Sequence, residues 1–329
     1  MKQNIIAILS AVLLLSACDF QEHYEKRKQN FRQPEKTVQV ENTPQKQAKK
    51  ALPTPPNELQ IQLYTHNQQY CFDTKDSNRC STAKLTRLEI SNLAWLTELL
   101  NQQIQWDSKK DESQLLESLK KSTLNDSNEA NAYTLNTETA FAFLGKIDHF
   151  AVFERQDYVY YELAAHPNQS IYYLVVDLQK GEVVSLDNIL TQPEKQNELT
   201  QKLQTLFHQQ LRQQNMSEEE INQFNIDFPF SLSSNWRFAK QGLIFQYNPY
   251  DIAPYALGAP QIFIENNQLK EIIKPEYLNI SEKWVENKPF RQPENNQTAE
   301  NNTENAPVYQ QFVPPPQERE EFNPRSDFE

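Results

Sequence analysis

The chain has 329 residues, of which 23% are charged, with a formal net charge of −12 and a pI near 5.1. An acidic balance of this size disfavours nucleic acid and anionic surfaces as partners and steers a basic partner toward the protein, although acidity also serves plain solubility. With four glycines in the whole sequence, Gly-rich nucleotide-binding loops are excluded.

Residues 1–17 read as a targeting segment. Lys2 supplies the positive start, and Ile5 to Leu15 is an apolar run too short for the roughly 20 residues a membrane-spanning helix needs. It ends in Leu15-Ser16-Ala17-Cys18, the form of a lipobox with Cys18 as the site of diacylglyceryl attachment. The expectation is a lipoprotein of the bacterial cell envelope, anchored to the membrane through Cys18, its domain facing periplasm or cell exterior. A cytosolic protein with an accidental Leu-Ser-Ala-Cys is the plainer alternative. Asp19 resembles the inner-membrane retention signal of enteric lipoproteins, a rule that does not hold in every bacterium. Residues 18–57 are rich in Gln, Lys, Glu, Asn and Pro and bury too little apolar surface to offset ordering entropy. They read as a tether, about forty residues with a reach of about 35 Å.

Residues 58–280 carry nearly all the periodic apolar pattern. Alternation over Glu58 to Tyr64 predicts a strand, and Ala83 to Ile90 a second. Cys71 and Cys80 flank the polar stretch Asp73 to Asn78. With Cys18 lipidated they are the remaining thiols in an oxidising compartment, so a disulfide is expected, whereas a redox CxxC or metal spacing is not matched. Leu93, Leu96, Leu99, Leu100 and Ile104 share a helical face, with Ser91 or Asn92 available as cap. Leu115, Leu116 and Leu119 suggest another helix before a polar break at Asn125 to Asn131.

Strands follow at Thr139–Leu144, Phe150–Glu154, Val159–Leu163, Tyr172–Asp177 and Glu182–Leu186, with Lys180-Gly181 as a turn. Leu199, Leu203, Leu206 and Leu211 mark an amphipathic helix from near Pro193, and Ser217 to Glu220 forms a capping box. Gln241-Gly242 turns Trp236–Ala239 into Leu243–Tyr247. Grouped strands interrupted by helices indicate α+β: a mainly antiparallel sheet with two or three packed helices, in two sequential halves, 58–155 and 156–280. Residues 281–329, dominated by Asn, Gln, Glu and Pro, read as a disordered acidic, Pro-rich tail, although Trp284 is available to pack on the domain. Val308-Tyr309 and Phe312-Val313 form a candidate partner motif within the tail.

One stretch stands out. In Asn248-Pro249-Tyr250-Asp251-Ile252-Ala253-Pro254-Tyr255-Ala256-Leu257-Gly258, Pro249 and Pro254, with Pro260 beyond, lack the N–H of a sheet ladder, so a rigid loop is expected between two strands. Its tyrosines make either a recognition surface, since Tyr gives large contact area with few rotors, or the lid of a core.

The run from Arg237 to Ile264 is similar to the C-terminal signature of the RsiV-like ectodomain family, whose best-known member is a lysozyme-sensing anti-sigma factor. Upstream, Tyr161-Glu162-Leu163-Ala164-Ala165-His166-Pro167 resembles the family's Tyr-x-Gly-Gly-Ala-His element. Asp177-Leu178, Lys180-Gly181 and Ser185-Leu186-Asp187 follow in the family's order. The likeness covers residues 158–278. Leu163 and Ala164 replace the two glycines, which changes the loop's shape if those glycines serve a positive φ or a close approach. The resemblance implies a binding surface of Tyr161, His166, Tyr250, Asp251, Pro254, Tyr255 and Gly258, and a lysozyme-like muramidase as partner. Secreted lysozymes are often basic, so charge points the same way.

None of the five histidines (His23, His66, His149, His166, His208) sits in a metal or catalytic motif, and no GxSxG elbow occurs. Carboxylates are numerous, but no stretch sets two of them in apolar surroundings that would split their pKa values. His166 reads either as a site residue or as a structural turn histidine. The expectation is a non-enzymatic binding lipoprotein without cofactor or metal, acting as inhibitor, decoy or sensor. The alternatives are a peptidoglycan or carbohydrate tether, stacking Tyr250, Tyr255 and Trp236 on sugars, and an envelope assembly lipoprotein working through its tail. Direct anti-sigma signalling is not expected, because no transmembrane helix and no cytoplasmic segment are seen in the sequence.

Overall fold

The computed structural model of the chain describes residues 54–73, 78–124 and 133–285. The Cys18 lipobox, the tether as far as residue 53, the residue 125–131 break and the Val308 to Val313 motif lie outside the described residues.

The chain begins as a hairpin. β1 (Ile61–Asp73) and β2 (Asn78–Ile90) pair antiparallel without a break, from Ile61↔Ile90 to Asp73↔Asn78. Both run past the segments whose alternation shows in sequence, because His66-Asn67-Gln68-Gln69 is polar on both faces and only pairing with β2 holds it extended. Cys71 stands directly opposite Cys80 and the two form a disulfide, with Cα atoms 4.0 Å apart.

β3 (Leu135–Ile147) runs parallel to β2 over Thr82↔Asn136 to Thr86↔Ala140. Parallel neighbours require a long crossover, and α1 (Ala94–Gln103) and α2 (Ser113–Leu124) lie within it. The N-cap of α1 is Leu93, which has no capping side chain. Ser91 and Asn92 are used otherwise, Asn92 bonding Gln60 N and Glu58 O across the hairpin base. α1 lays Leu96 and Leu100 on Phe141, Phe153, Leu174 and Val176, while α2 lays Leu119 on Ala83 and Leu135.

β4 (Phe150–Tyr161), β5 (Asn168–Asp177) and β6 (Glu182–Val183) complete a six-stranded sheet of order β1-β2-β3-β4-β5-β6. The strands read separately at Phe150–Glu154 and Val159–Leu163 are one continuous β4 ending at Tyr161. Its polar middle is held by partners: Arg155 donates to Gln103 O at 2.5 Å and pairs with Asp157 at 3.0 Å. The strand expected to reach Leu186 stops at Val183, because Ser185 caps α3 (Leu186–Ile189) in a capping box with Asn188.

α4 (Lys195–Gln213) buries Leu199, Leu203, Phe207 and Leu211, and α5 (Glu218–Asp227) opens with the expected capping box of Ser217 and Glu220. A second sheet of three antiparallel strands follows: β7 (Trp236–Ala239), β8 (Gly242–Gln246) and β9 (Gln261–Glu265). The β7–β8 turn is Lys240-Gln241, with Gln241 at φ 61°, and Gly242 already belongs to β8. α6 (Asn266–Leu269) and α7 (Pro275–Lys283) close the described chain.

One large core joins Phe150, Val152 and Val175 of the first sheet to α4 and the second sheet, so the fold is α+β. Trp236, read as a candidate sugar platform, is 2% exposed and belongs to this core, edge-on to Phe238. The boundary expected at Ile280 falls inside α7, and Trp284 is buried beyond it. No described helix is long and apolar enough to cross a membrane.

Candidate functional site: an aromatic cluster between two loops

Between Asn168 and Val175 the edge of β5 away from β4 carries no strand, since β6 pairs only with Val176 and Asp177. Two asparagines from the second sheet's loops cover it. Asn248 Oδ1 accepts from Ile171 N at 2.7 Å, Asn235 Oδ1 accepts from Tyr173 N at 2.8 Å, and Asn235 Nδ2 donates to Ile171 O at 2.6 Å. An unpaired strand edge is open to association; here side-chain amides occupy it and fix the residue 248–258 loop against the first sheet. Neither asparagine belongs to the expected site, and a polar residue between apolar runs was the only available signal.

The loop is stapled from within. Asp251 Oδ2 accepts from Asn248 N at 2.8 Å, Asp251 N donates to Asn248 O at 3.1 Å, and Tyr250 N donates to Ala253 O at 2.8 Å. Ile252 and Ala253 point into the core, whereas Tyr250 and Tyr255 are half-buried. The loop therefore has an apolar root fixed in the core and two tyrosines that stay half-buried. Pro254 precedes a 3-10 turn over Tyr255–Leu257, and Gly258 ends it at φ 69°, ψ −143°, a conformation open essentially to glycine.

The facing loop leaves β4 at Tyr161. Glu162 anchors it, accepting from Thr134 N at 3.0 Å and pairing with Arg79. Leu163 takes φ 65° and is 81% exposed. The first of the two positions at which the resembling element has glycine thus takes a left-handed conformation. His166 comes next. Its ring lies on Tyr255 with centroids 3.6 Å apart and planes inclined by 14°; its Nε2 and the Tyr250 hydroxyl are 2.8 Å apart, and its Nδ1 is 3.0 Å from Pro167 O.

The structure therefore gathers His166, Tyr250, Tyr255, Asp251, Pro254 and Gly258 at one place. Tyr161 stands at the end of β4, 39% exposed, on the loop that carries His166. Burial, and secondarily the neighbouring Tyr158, pushes the Tyr255 phenol up. Crowding by the loop raises the Asp251 carboxyl against the opposing Asn248 N–H. Stacked rings with a hydroxyl and a carboxylate beside them can bind by area and hydrogen bonding. Among the described residues no group of three or more His, Cys, Asp and Glu side chains is arranged to hold a metal ion.

No curated protein matches the chain. Among solved structures, a DUF3298 family protein from Bacteroides fragilis aligns with a TM-score of 0.53 at 14% identity, over 69% of this chain and 99% of that one. That likeness is one of fold alone. A DUF3298 family protein from Pseudomonas aeruginosa aligns with a TM-score of 0.47 at 17% identity, over 65% of this chain and 95% of that one. Residues 187–267, from α3 through β9 and including the Tyr250 loop, match a family described as "Protein of unknown function (DUF3298)", so the chain carries a DUF3298 domain over this stretch.

Proposed function

We propose that the protein is a non-enzymatic lipoprotein of the bacterial cell envelope, held by a lipid at Cys18, whose domain captures a basic, lysozyme-like muramidase. The observation that carries this reading is the His166–Tyr255–Tyr250 cluster. Two loops that resemble the RsiV-like signature in sequence meet there, and the aromatic rings are presented on a backbone fixed from both sheets. Rigid aromatics lose little entropy on binding and serve well as anchors. The net charge of −12 favours a cationic partner and makes the encounter salt-sensitive. Tyr161, Asp251, Pro254 and Gly258 complete the surface, Asp251 as an acceptor for a basic side chain and Gly258 as the hinge that aims Tyr255. Filling the partner's sugar cleft would make the protein an inhibitor; capture without inhibition would make it a decoy or sensor.

The test is calorimetric titration of the full chain with a basic lysozyme at low and moderate salt, alongside a cell-wall turbidity assay. Stoichiometric binding that weakens with salt, and weakens about tenfold or more when Tyr250 and Tyr255 are both replaced by Ala, is the expected result. Absence of binding at low salt overturns the reading.

A further inference from the structure

We propose a second binding site, for an uncharged saccharide chain, on the open face of the six-stranded sheet beside the aromatic cluster. Side chains alternate along a strand, and the β3–β4–β5 register places Glu138, Tyr158, Val152 and Val175 on the same face. Toward Phe150 this face is closed: Val152 and Val175 enter the main core. Toward Tyr158 it opens into a concavity of about 500 Å³, lined by Gln69, Thr82, Lys84, Asn136, Glu138 and Tyr158 among others. That volume lies within the range of small-molecule sites. Its side chains are mostly amides and hydroxyls with one ion pair and a single tyrosine ring, and their exposed carbon outweighs their exposed polar atoms.

The lining selects the ligand. Lys84 and Glu138 pair at 2.8 Å and leave no net charge for an anion or a cation to answer. Thr82 Oγ1 donates to Asn136 Oδ1 at 2.9 Å, so the two Asn136 N–H donors have no partner among the described residues. A ligand for this surface must offer many neutral donors and acceptors at short intervals, together with an apolar ring face for Tyr158. Sugars carry both, and an N-acetylated sugar adds an acetamido group that pairs with a side-chain amide. Tyr158 stands three residues before Tyr161 on β4, and none of the aromatic-cluster residues lines the concavity. The site stands independently of muramidase capture, since none of its lining belongs to that surface.

The experiment is titration of the ¹⁵N-labelled full chain with the tetramer of N-acetylglucosamine, followed by amide shifts. Saturable shifts are expected at Gln69, Thr82, Asn136 and Tyr158. Asn136→Ala and Tyr158→Leu should each raise Kd about fivefold to tenfold, the loss of one hydrogen bond or one stacked ring. Moving from low salt to about 0.5 M should leave Kd within about twofold, as no charge pairing is involved. No saturable shift with sugar at millimolar concentration, shifts confined to other surfaces, or a Kd unchanged in Asn136→Ala would overturn the proposal. Asn136→Ala carries the test alone should Tyr158→Leu fail to fold.

Discussion

His166 and Tyr250 are 84 residues apart in the chain, yet the imidazole Nε2 and the phenol oxygen meet at 2.8 Å. The contact exists because Asn248, two residues before Tyr250, bonds Ile171 N on β5, five residues after His166. The two loops are therefore registered by a backbone-directed bond a few residues from the ring contact. A cluster registered this way keeps its geometry without a bound partner, which removes part of the ordering cost of binding.

Leu163 is one of six described non-glycine residues with a positive φ, and the most apolar of the exposed ones. It is 81% exposed at φ 65°, so its side chain contributes little burial to offset the strain. Leu163→Gly should stabilise the protein by about 0.5–1 kcal/mol, the relief of strain less the added freedom of the unfolded chain. A thermal melt should rise by about 1–3 °C. A fall instead would mean that the leucine packs or that the turn is not strained.

Asn235 supplies both a donor and an acceptor to the exposed edge of β5. Asn235→Ala leaves Tyr173 N and Ile171 O without those partners and should cost about 2–3 kcal/mol. Hydrogen exchange should quicken first at the Tyr173 amide. If exchange there is unchanged while global stability falls, the asparagine acts through its own loop rather than by covering the edge.

Asp251 carries a pKa raised above the ordinary value of 3.8 by packing of the loop around its carboxyl, although the residue as a whole is exposed; the Asn248 N–H opposes the shift. A carboxyl whose folded pKa lies above its unfolded one binds its proton more tightly in the folded state. Its contribution to stability is therefore fully present below about pH 3.8 and is lost as pH rises through the folded value. Asp251→Asn, which keeps an acceptor for Asn248 N, should melt higher than the parent at pH 7 and converge with it near pH 4. Equal melting temperatures at pH 7 would show that the carboxylate is well solvated.

Gly242 opens β8 where the neighbouring strand passes closely. A Cβ there would lie inside van der Waals contact of the Ile264 carbonyl oxygen and of the Phe263 ring. The ring is partly exposed and can swing away; the carbonyl belongs to the β8–β9 ladder and cannot. Gly242→Ala should cost about 3 kcal/mol, read as a lowered denaturant midpoint at unchanged slope.

Much of this architecture was legible in the residues. The periodic leucines of α4, the Ser217 capping box and the Cys71–Cys80 pairing are local matters of spacing and cap chemistry and appear where the sequence places them, and the β7–β8 hairpin appears with its turn one residue earlier, at Lys240-Gln241. The loop from Asn248 to Gly258 was marked out by its prolines, and of the two positions where the resembling element has glycine only Leu163 takes a positive φ. Polar strand segments were not legible. Thr65 to Gln69 of β1 and Arg155 to Asp157 of β4 lack alternation, and only cross-strand partners keep them extended.

By itself, then, the sequence determined the elements whose period, caps or prolines are encoded within a few residues, along with the net acidity of the chain. Tertiary structure alone decided that Trp236 is core rather than surface, that Asn235 and Asn248 cover β5, and that His166 stacks on Tyr255. It alone left one end of the large sheet's face open. These are contacts between residues tens of positions apart. Burial, edge coverage and ring stacking depend on which surfaces the packed sheets bring together, and no local pattern carries that.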